Sequence, residues 1–247
     1  MSSPVPLQND KHANLKLAEI DDYTRYKEQH LVPIVVPDFF TLAGEYPLVF
    51  VQNAVSGEFV PVAMMGIKEG QNLCCQSEQW PAQVVPLSFN NGPFSIARAD
   101  TDDEQFVILI DEESPLLSET DGEALFTESG EKTDYLEKKI ESVVQVAQKA
   151  INPQGVCKYL SNKKLFATQQ VQLQFRPDTE KYNIDGIFTI DEEALNALPD
   201  KDFLELRKKG MLALIYAHFV SLQQLHRISK MQYEADEAAR DNGNLTT

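Results

Sequence analysis

Leu48-Val49-Phe50-Val51 and Phe59-Val60-Pro61-Val62-Ala63-Met64 are two short apolar runs, bounded by Pro47, Asn53 and Ser56-Gly57. Runs this short, rich in Val and Phe and closed by turn formers, read as neighbouring strands of an antiparallel meander. Pro61 cannot donate to a ladder, so the second run is expected at a sheet edge or a bulge. Beyond the Glu69-Gly70-Gln71-Asn72 turn, Leu73-Cys74-Cys75 reads as a third strand, and Phe94–Ala97 and Phe106–Ile110 as two more. Val36–Ala43, with two Phe residues, is expected to form a helical turn packed on this sheet.

The period changes after residue 134. Leu136, Ile140, Val143, Val144, Ala147 and Ile151 fall on one helix face, behind a capping box of Asp134 and Glu137. Asn152-Pro153 restarts a helix. Thr168–Phe175 and Tyr182–Ile190 alternate in polarity around Pro177-Asp178-Thr179-Glu180, which predicts a hairpin. Asp191 caps a short helix, Pro199-Asp200 another ending at Gly210, and Met211 to about Met231 forms a long buried C-terminal helix. The expected fold is α+β: an N-terminal antiparallel β meander, then a helical part with a β-hairpin. We read 1–247 as one domain, with a loose arm over 1–14 and a β-rich part over 15–115. An acidic loop follows over 116–134, then a helical part over 135–233 and a frayed tail over 234–247.

The formal net charge is −16, which opposes binding to nucleic acid or to anionic membrane surfaces. No run approaches the roughly 20 apolar residues of a membrane span, so no membrane insertion is expected. Three cysteines, Cys74, Cys75 and Cys157, form neither a disulfide framework nor a zinc spacing. They suit a reducing compartment, and with no secretory signal in Met1–Asp10 the expected location is cytoplasmic.

Leu31-Val32-Pro33, Glu45 through Phe50, Phe59 through Ala63 with Gly66, and Ile110 through Ser114 together resemble the N-terminal part of the SapC family. Gly186 through Glu192, Leu195 through Leu198 and Gly210 through His218 to Leu222 resemble its C-terminal block. The resemblance runs in colinear order over roughly residues 30–230. Cys74-Cys75, Gln76 and the Asn90-Asn91-Gly92 turn depart from it. It implies a bacterial protein whose family name derives from surface-layer proteins. No chemistry is established across that family, and an accessory role in a surface- or peptide-related pathway is what it suggests.

Candidate sites are few. His218 shares a helix face with Met211, Leu214, Ile215, Leu222 and Leu225. A buried, neutral, hydrogen-bonded imidazole is the expectation, and a pocket formed with Glu45 is the alternative. His226 lies too far round the helix to share a metal with it, and His12 and His30 fall in poorly structured segments. As strand neighbours, Cys74 and Cys75 would face opposite ways, one packed and one exposed. No nucleophile elbow, phosphate loop or dinucleotide fingerprint is present. Neither a cofactor nor a metal is therefore expected.

Between Asp100 and Asp134 stand thirteen carboxylates against Lys132 alone. Ser114-Pro115 and Asp121-Gly122 mark the stretch as largely loop. A calcium loop from Asp100 fails because Gln105 and Asp111 stand where Gly and Glu are needed. A solvated loop is one reading. The other is a docking surface for a protein or peptide, through Asp102, Asp103, Glu104, Asp111, Glu112 and Glu113. The functional expectation is a non-catalytic, partner-binding accessory protein. The alternative is an enzyme or ligand-binding protein with a pocket near His218 and Glu45. The sequence leaves the oligomeric state open.

Overall fold

The computed structural model describes residues 4–18, 23, 26–75, 84–90, 92–99, 102–149 and 153–244. The chain forms two compact units that interleave in sequence: Met1–Asp22 with Leu87–Ala150, and Tyr23–Pro86 with Ile151–Thr247. The β-rich stretch predicted over 15–115 is thus divided between them, while the acidic stretch lies within the first.

In the first unit, β1 (Val5–Pro6), α1 (Asn9–His12) and β2 (Lys16–Leu17) come from the N-terminal segment. The short helix α3 (Leu87–Asn90), the hairpin β6 (Phe94–Ala99) and β7 (Asp102–Ile110), β8 (Leu117–Ser118), β9 (Glu123–Ala124) and α4 (Asp134–Lys149) follow from the second segment. Two three-stranded antiparallel sheets result, in the orders β1-β7-β6 and β8-β2-β9. Leu17, Phe94, Ile110, Leu125, Leu136 and Val143 form the core between sheets and helix.

From residue 4 onward the arm predicted over 1–14 is therefore not loose. β1 pairs Val5 with Ile110, and His12 is buried with its Nε2 2.9 Å from Glu112 Oε1. The helix cap also differs from expectation. Thr133 Oγ1 accepts from the Leu136 N–H at 3.2 Å, placing Thr133 rather than Asp134 at the N-cap.

The second unit is built on a five-stranded antiparallel sheet. Its elements are β3 (Leu31–Pro33), α2 (Val36–Leu42), β4 (Leu48–Gln52), β5 (Phe59–Met64), α5 (Pro153–Asn162), β10 (Phe166–Leu173) and β11 (Tyr182–Ile190). Then come α6 (Glu192–Asn196), α7 (Asp200–Lys208), α8 (Met211–Ser221), a 3₁₀ turn at Leu222–Gln224, and α9 (Leu225–Asn244). The strand order is β10-β11-β4-β5-β3. On one face, Phe39 and Phe166 pack against Phe50. On the other, Val49, Val62, Met64, Ile184 and Ile187 pack against Ile228 of α9.

Four expectations are corrected here. β5 lies inside the sheet, not at an edge; Pro61 is tolerated because its missing N–H falls just past the end of β3, while its carbonyl accepts from Ile34 N–H at 3.1 Å. Leu73–Cys75 is a 3₁₀ turn rather than a strand, because Asn72 Oδ1 takes the Cys74 N–H at 2.9 Å. Both cysteines of that turn are buried, and burial pushes the Cys74 thiol up to about 12. The long C-terminal helix is present from Met211, tightening to a 3₁₀ turn at Leu222–Gln224, but the expected frayed tail continues as helix to Asn244.

Helix α5 closes in a Schellman motif. Lys164, at φ 55, donates to Ser161 C=O at 2.9 Å, and Leu165 donates to Leu160 C=O at 3.1 Å. Among the described residues Lys164 is the one non-glycine at positive φ, a conformation that strains an L-residue. Lys164→Gly is expected to raise stability by about 0.5–1 kcal/mol, net of the entropy glycine adds to the unfolded chain. Urea denaturation with an unchanged or lowered midpoint would contradict it.

Candidate functional site

A groove of about 440 Å³ opens on the second face of the five-stranded sheet. Its floor is one continuous side of three strands: Val49 of β4, Ile187 and Thr189 of β11, and Ala167, Gln169 and Val171 of β10. Register explains this. Thr189 pairs with Ala167 and Ile187 with Gln169, so those side chains point the same way. Phe219, Leu222 and Leu225 supply the opposing wall where α8 passes into α9. Asp191, Glu192 and Glu193 stand at one end, where β11 gives way to α6. Asp191 is partly committed, its Oδ1 accepting from Ala194 N–H at 2.9 Å as a helix cap. Glu192 and Glu193 are exposed. The volume lies at the small end of the roughly 300–1,000 Å³ typical of ligand sites.

His218 lies beside this groove without lining it. β4 and β11 pair at Val51–Ile187 and Phe50–Phe188, and the same register would next hydrogen-bond Leu48 to Ile190. Instead the imidazole is inserted between them. Leu48 C=O is 2.7 Å from Nδ1, and Ile190 N–H is 3.1 Å from Nε2. A carbonyl only accepts and an amide N–H only donates, so the proton sits on Nδ1 and the ring is neutral. Leu48 N–H, the other half of the interrupted pair, donates to Ser221 Oγ at 2.9 Å. His218 and Ser221 thus occupy the fork between two strands and satisfy three backbone groups that the ladder leaves open. His218 is fully buried, and burial holds its pKa down at about 4, against the upward pull of the Leu48 carbonyl. This is the buried, hydrogen-bonded imidazole that its helix face predicts.

Glu45 is held elsewhere. Its carboxylate is 3.2 Å from Arg227 Nη1, and its backbone carbonyl accepts from the same guanidinium. Neither Glu45 nor His218 lines the groove, the small apolar cavity between Phe39, Phe50 and Leu214, or the open hollow beside Asn9 and Glu131.

The acidic residues divide. Asp102, Asp103 and Glu104 belong to β7 by backbone, and their side chains lie outside the described residues. Asp111 closes a turn, its Oδ1 accepting from Glu113 N–H at 3.2 Å. Glu112 binds Lys11 Nζ at 2.7 Å and His12 Nε2 at 2.9 Å, and those two hydrogen bonds hold its carboxyl below the usual range. Glu113 is exposed. The stretch is more structured than predicted, since β7, β8 and β9 all fall within it. Even so, the first unit holds nineteen acidic and seven basic residues, a net −12, leaving −4 for the second.

A further cluster escaped the sequence reading. Asp236 of α9 accepts from Lys68 Nζ at 2.8 Å, Tyr182 Oη at 2.5 Å and Gln232 Nε2 at 3.0 Å. Burial pushes its carboxyl up, but the three hydrogen bonds outweigh that and hold it below its ordinary value. They tie the second half of α9 to the sheet. Among the described residues no three His, Cys, Asp or Glu side chains converge as a metal site, and no helix is long and apolar enough to cross a membrane.

Comparison with curated proteins and with solved structures gives no match. The SapC family model, by contrast, matches residues 7–228, a span that takes in both units and every element from α1 to the start of α9. The chain belongs to the SapC family.

Proposed function

We propose that this SapC-family chain is a non-catalytic accessory protein that binds another protein or a peptide. It would act in the reducing cytoplasm of a bacterium, in a surface- or peptide-related pathway. The observation that carries the reading is the groove: a largely apolar floor beside a sheet edge that no further strand pairs with among the described residues, with exposed carboxylates at one end. His218, the residue type most suited to acid–base work, is committed on both ring nitrogens to backbone groups, which favours binding over catalysis. The net −12 of the first unit adds a means of attracting a basic partner, since charge mainly accelerates encounter.

Affinity capture from a bacterium that carries the gene, followed by purification of the captured protein, tests this reading. Association rates should then fall by about tenfold or more between 0.1 and 1 M salt, as the Debye length shrinks from about 10 to about 3 Å. Asp102→Asn/Asp103→Asn/Glu104→Gln should flatten that dependence. A rate insensitive to salt and to the triple change removes the acidic unit from the reading. Capture of no partner, together with turnover of a small molecule, would overturn the reading as a whole.

A further inference from the structure

β10 is the outermost strand of the five-stranded sheet. Asp191 N–H donates to Leu165 C=O at 2.8 Å, so hydrogen-bonded pairs with β11 recur at Leu165, Ala167 and Gln169. Phe166 and Thr168 therefore turn their N–H and C=O groups outward, and no strand pairs with them among the described residues. Thr168, Gln169 and Gln170 are exposed. Proteins usually blunt such an edge with Lys, Pro or an inward charge. Here Phe166–Leu173 reads FATQQVQL, without one charge or proline, in a chain that carries sixty charged residues. A bulge between Gln169 and Val171 ends the regular ladder, which confines pairing to the stretch beginning at Phe166. That stretch lies next to the groove and to Asp191–Glu193.

Resting on the partner-binding reading above, we propose that an extended segment of the protein partner adds as a strand to β10. Its backbone pairs with Phe166 and Thr168, an apolar side chain enters the groove against Phe219 and Leu222, and a Lys or Arg meets Glu192 and Glu193. Backbone pairing supplies the affinity and alternate side chains the specificity. The carboxylates select a basic segment by charge complementarity. A second copy of this chain fits less well, because its own net charge of −16 opposes self-association.

The probe is a short synthetic peptide of alternating Thr and Val closing in two Lys, made with the Lys pair at either end, and binding is followed by fluorescence anisotropy. At least one orientation should bind saturably. N-methylation of alternate amides, or Glu in place of Lys, should weaken it by about tenfold or more. On the protein side, Thr168→Pro removes an outward donor and leaves the β11 pairing intact, as proline is tolerated on an edge. Glu192→Lys/Glu193→Lys reverses the charge at the groove mouth. Each change should weaken the Lys peptide by a similar factor while thermal unfolding confirms a folded chain.

No saturable binding, or binding indifferent to N-methylation, overturns strand addition. Dimerisation of the chain alone that Thr168→Pro abolishes would also overturn it, in favour of self-pairing. A captured partner whose affinity survives Thr168→Pro sinks the mode of binding but leaves the accessory reading standing. A failure of that reading would show instead as the absence of any captured partner.

Discussion

His218→Leu is expected to lower the stability of the second unit by about 3–5 kcal/mol. The substitution fills the volume but leaves Leu48 C=O and Ile190 N–H buried without partners, and each such group costs roughly 1–3 kcal/mol. The effect should also depend on pH. Burial holds the native imidazole at about 4 against an ordinary 6.5. The unfolded chain therefore takes up a proton, as pH falls through this range, that the folded chain refuses. The contribution of neutral His218 is complete above about pH 6.5 and is lost progressively down to pH 4. At 1.36 kcal/mol per pH unit that window is worth up to about 3 kcal/mol. Carboxylates titrate near its lower end in both proteins, so the informative quantity is the difference between wild type and His218→Leu from denaturant titrations at several pH values. That difference should shrink from pH 6.5 to 4. A difference that stays constant would mean that the ring is not the neutral wedge between β4 and β11.

What the sequence makes legible follows from the range of the forces involved. β4, β5, β6, β7 and the β10–β11 hairpin announce themselves through local alternation and turn residues, and α2, α4 and α5 through period and punctuation. The misreadings share a different cause. Leu73-Cys74-Cys75 has the apolarity of a strand, but Asn72 takes up the Cys74 amide while its own side chain reaches Tyr26 C=O and its N–H reaches Lys27 C=O. The N-terminal arm looks loose because its anchor, His12 on Glu112, spans a hundred positions. Thr133 and Asp134 are both good caps, and nothing local decides between them. The roles of His218 and Ser221 are hidden in the same way: an apolar helix gives no sign that two of its side chains plug a fork between strands.

The candidate site was illegible for the same reason. His218 could be recognised as buried from its helix face. The groove, however, draws its lining from β4, β10, β11, the start of α6 and the α8–α9 junction, and none of these segments carries a motif. The place of β10 at the end of the sheet depends on the strand order, which no single strand encodes.

Gly66→Ala is expected to produce the other large effect, about 3 kcal/mol or more of destabilisation. Met65 and Gly66 both donate to His30 C=O, at 2.8 and 3.2 Å, and the chain then doubles back so that Leu73 N–H reaches Met65 C=O at 2.8 Å. A Cβ on Gly66 would stand 1.7 Å from the Gln71 carbonyl oxygen and 3.1 Å from His30 Cβ. No rotamer relieves that clash, because the first side-chain atom itself collides with backbone, so the return of the loop must open. The same loop presents Lys68 to Asp236 and Gln71 to Gln232, so opening it would also loosen α9 from the sheet. The control is Lys68→Ala. Lys68 is half exposed, and an ion pair of that kind contributes only about 0–1 kcal/mol. Thermal unfolding of the two variants side by side therefore separates backbone closeness from charge as the glue of this corner. A large loss for Gly66→Ala with a small one for Lys68→Ala supports close approach, with faster hydrogen exchange at the Leu73 amide as its local signature. Equal small losses would mean that the loop accommodates a methyl group, and glycine at position 66 would then need another reason.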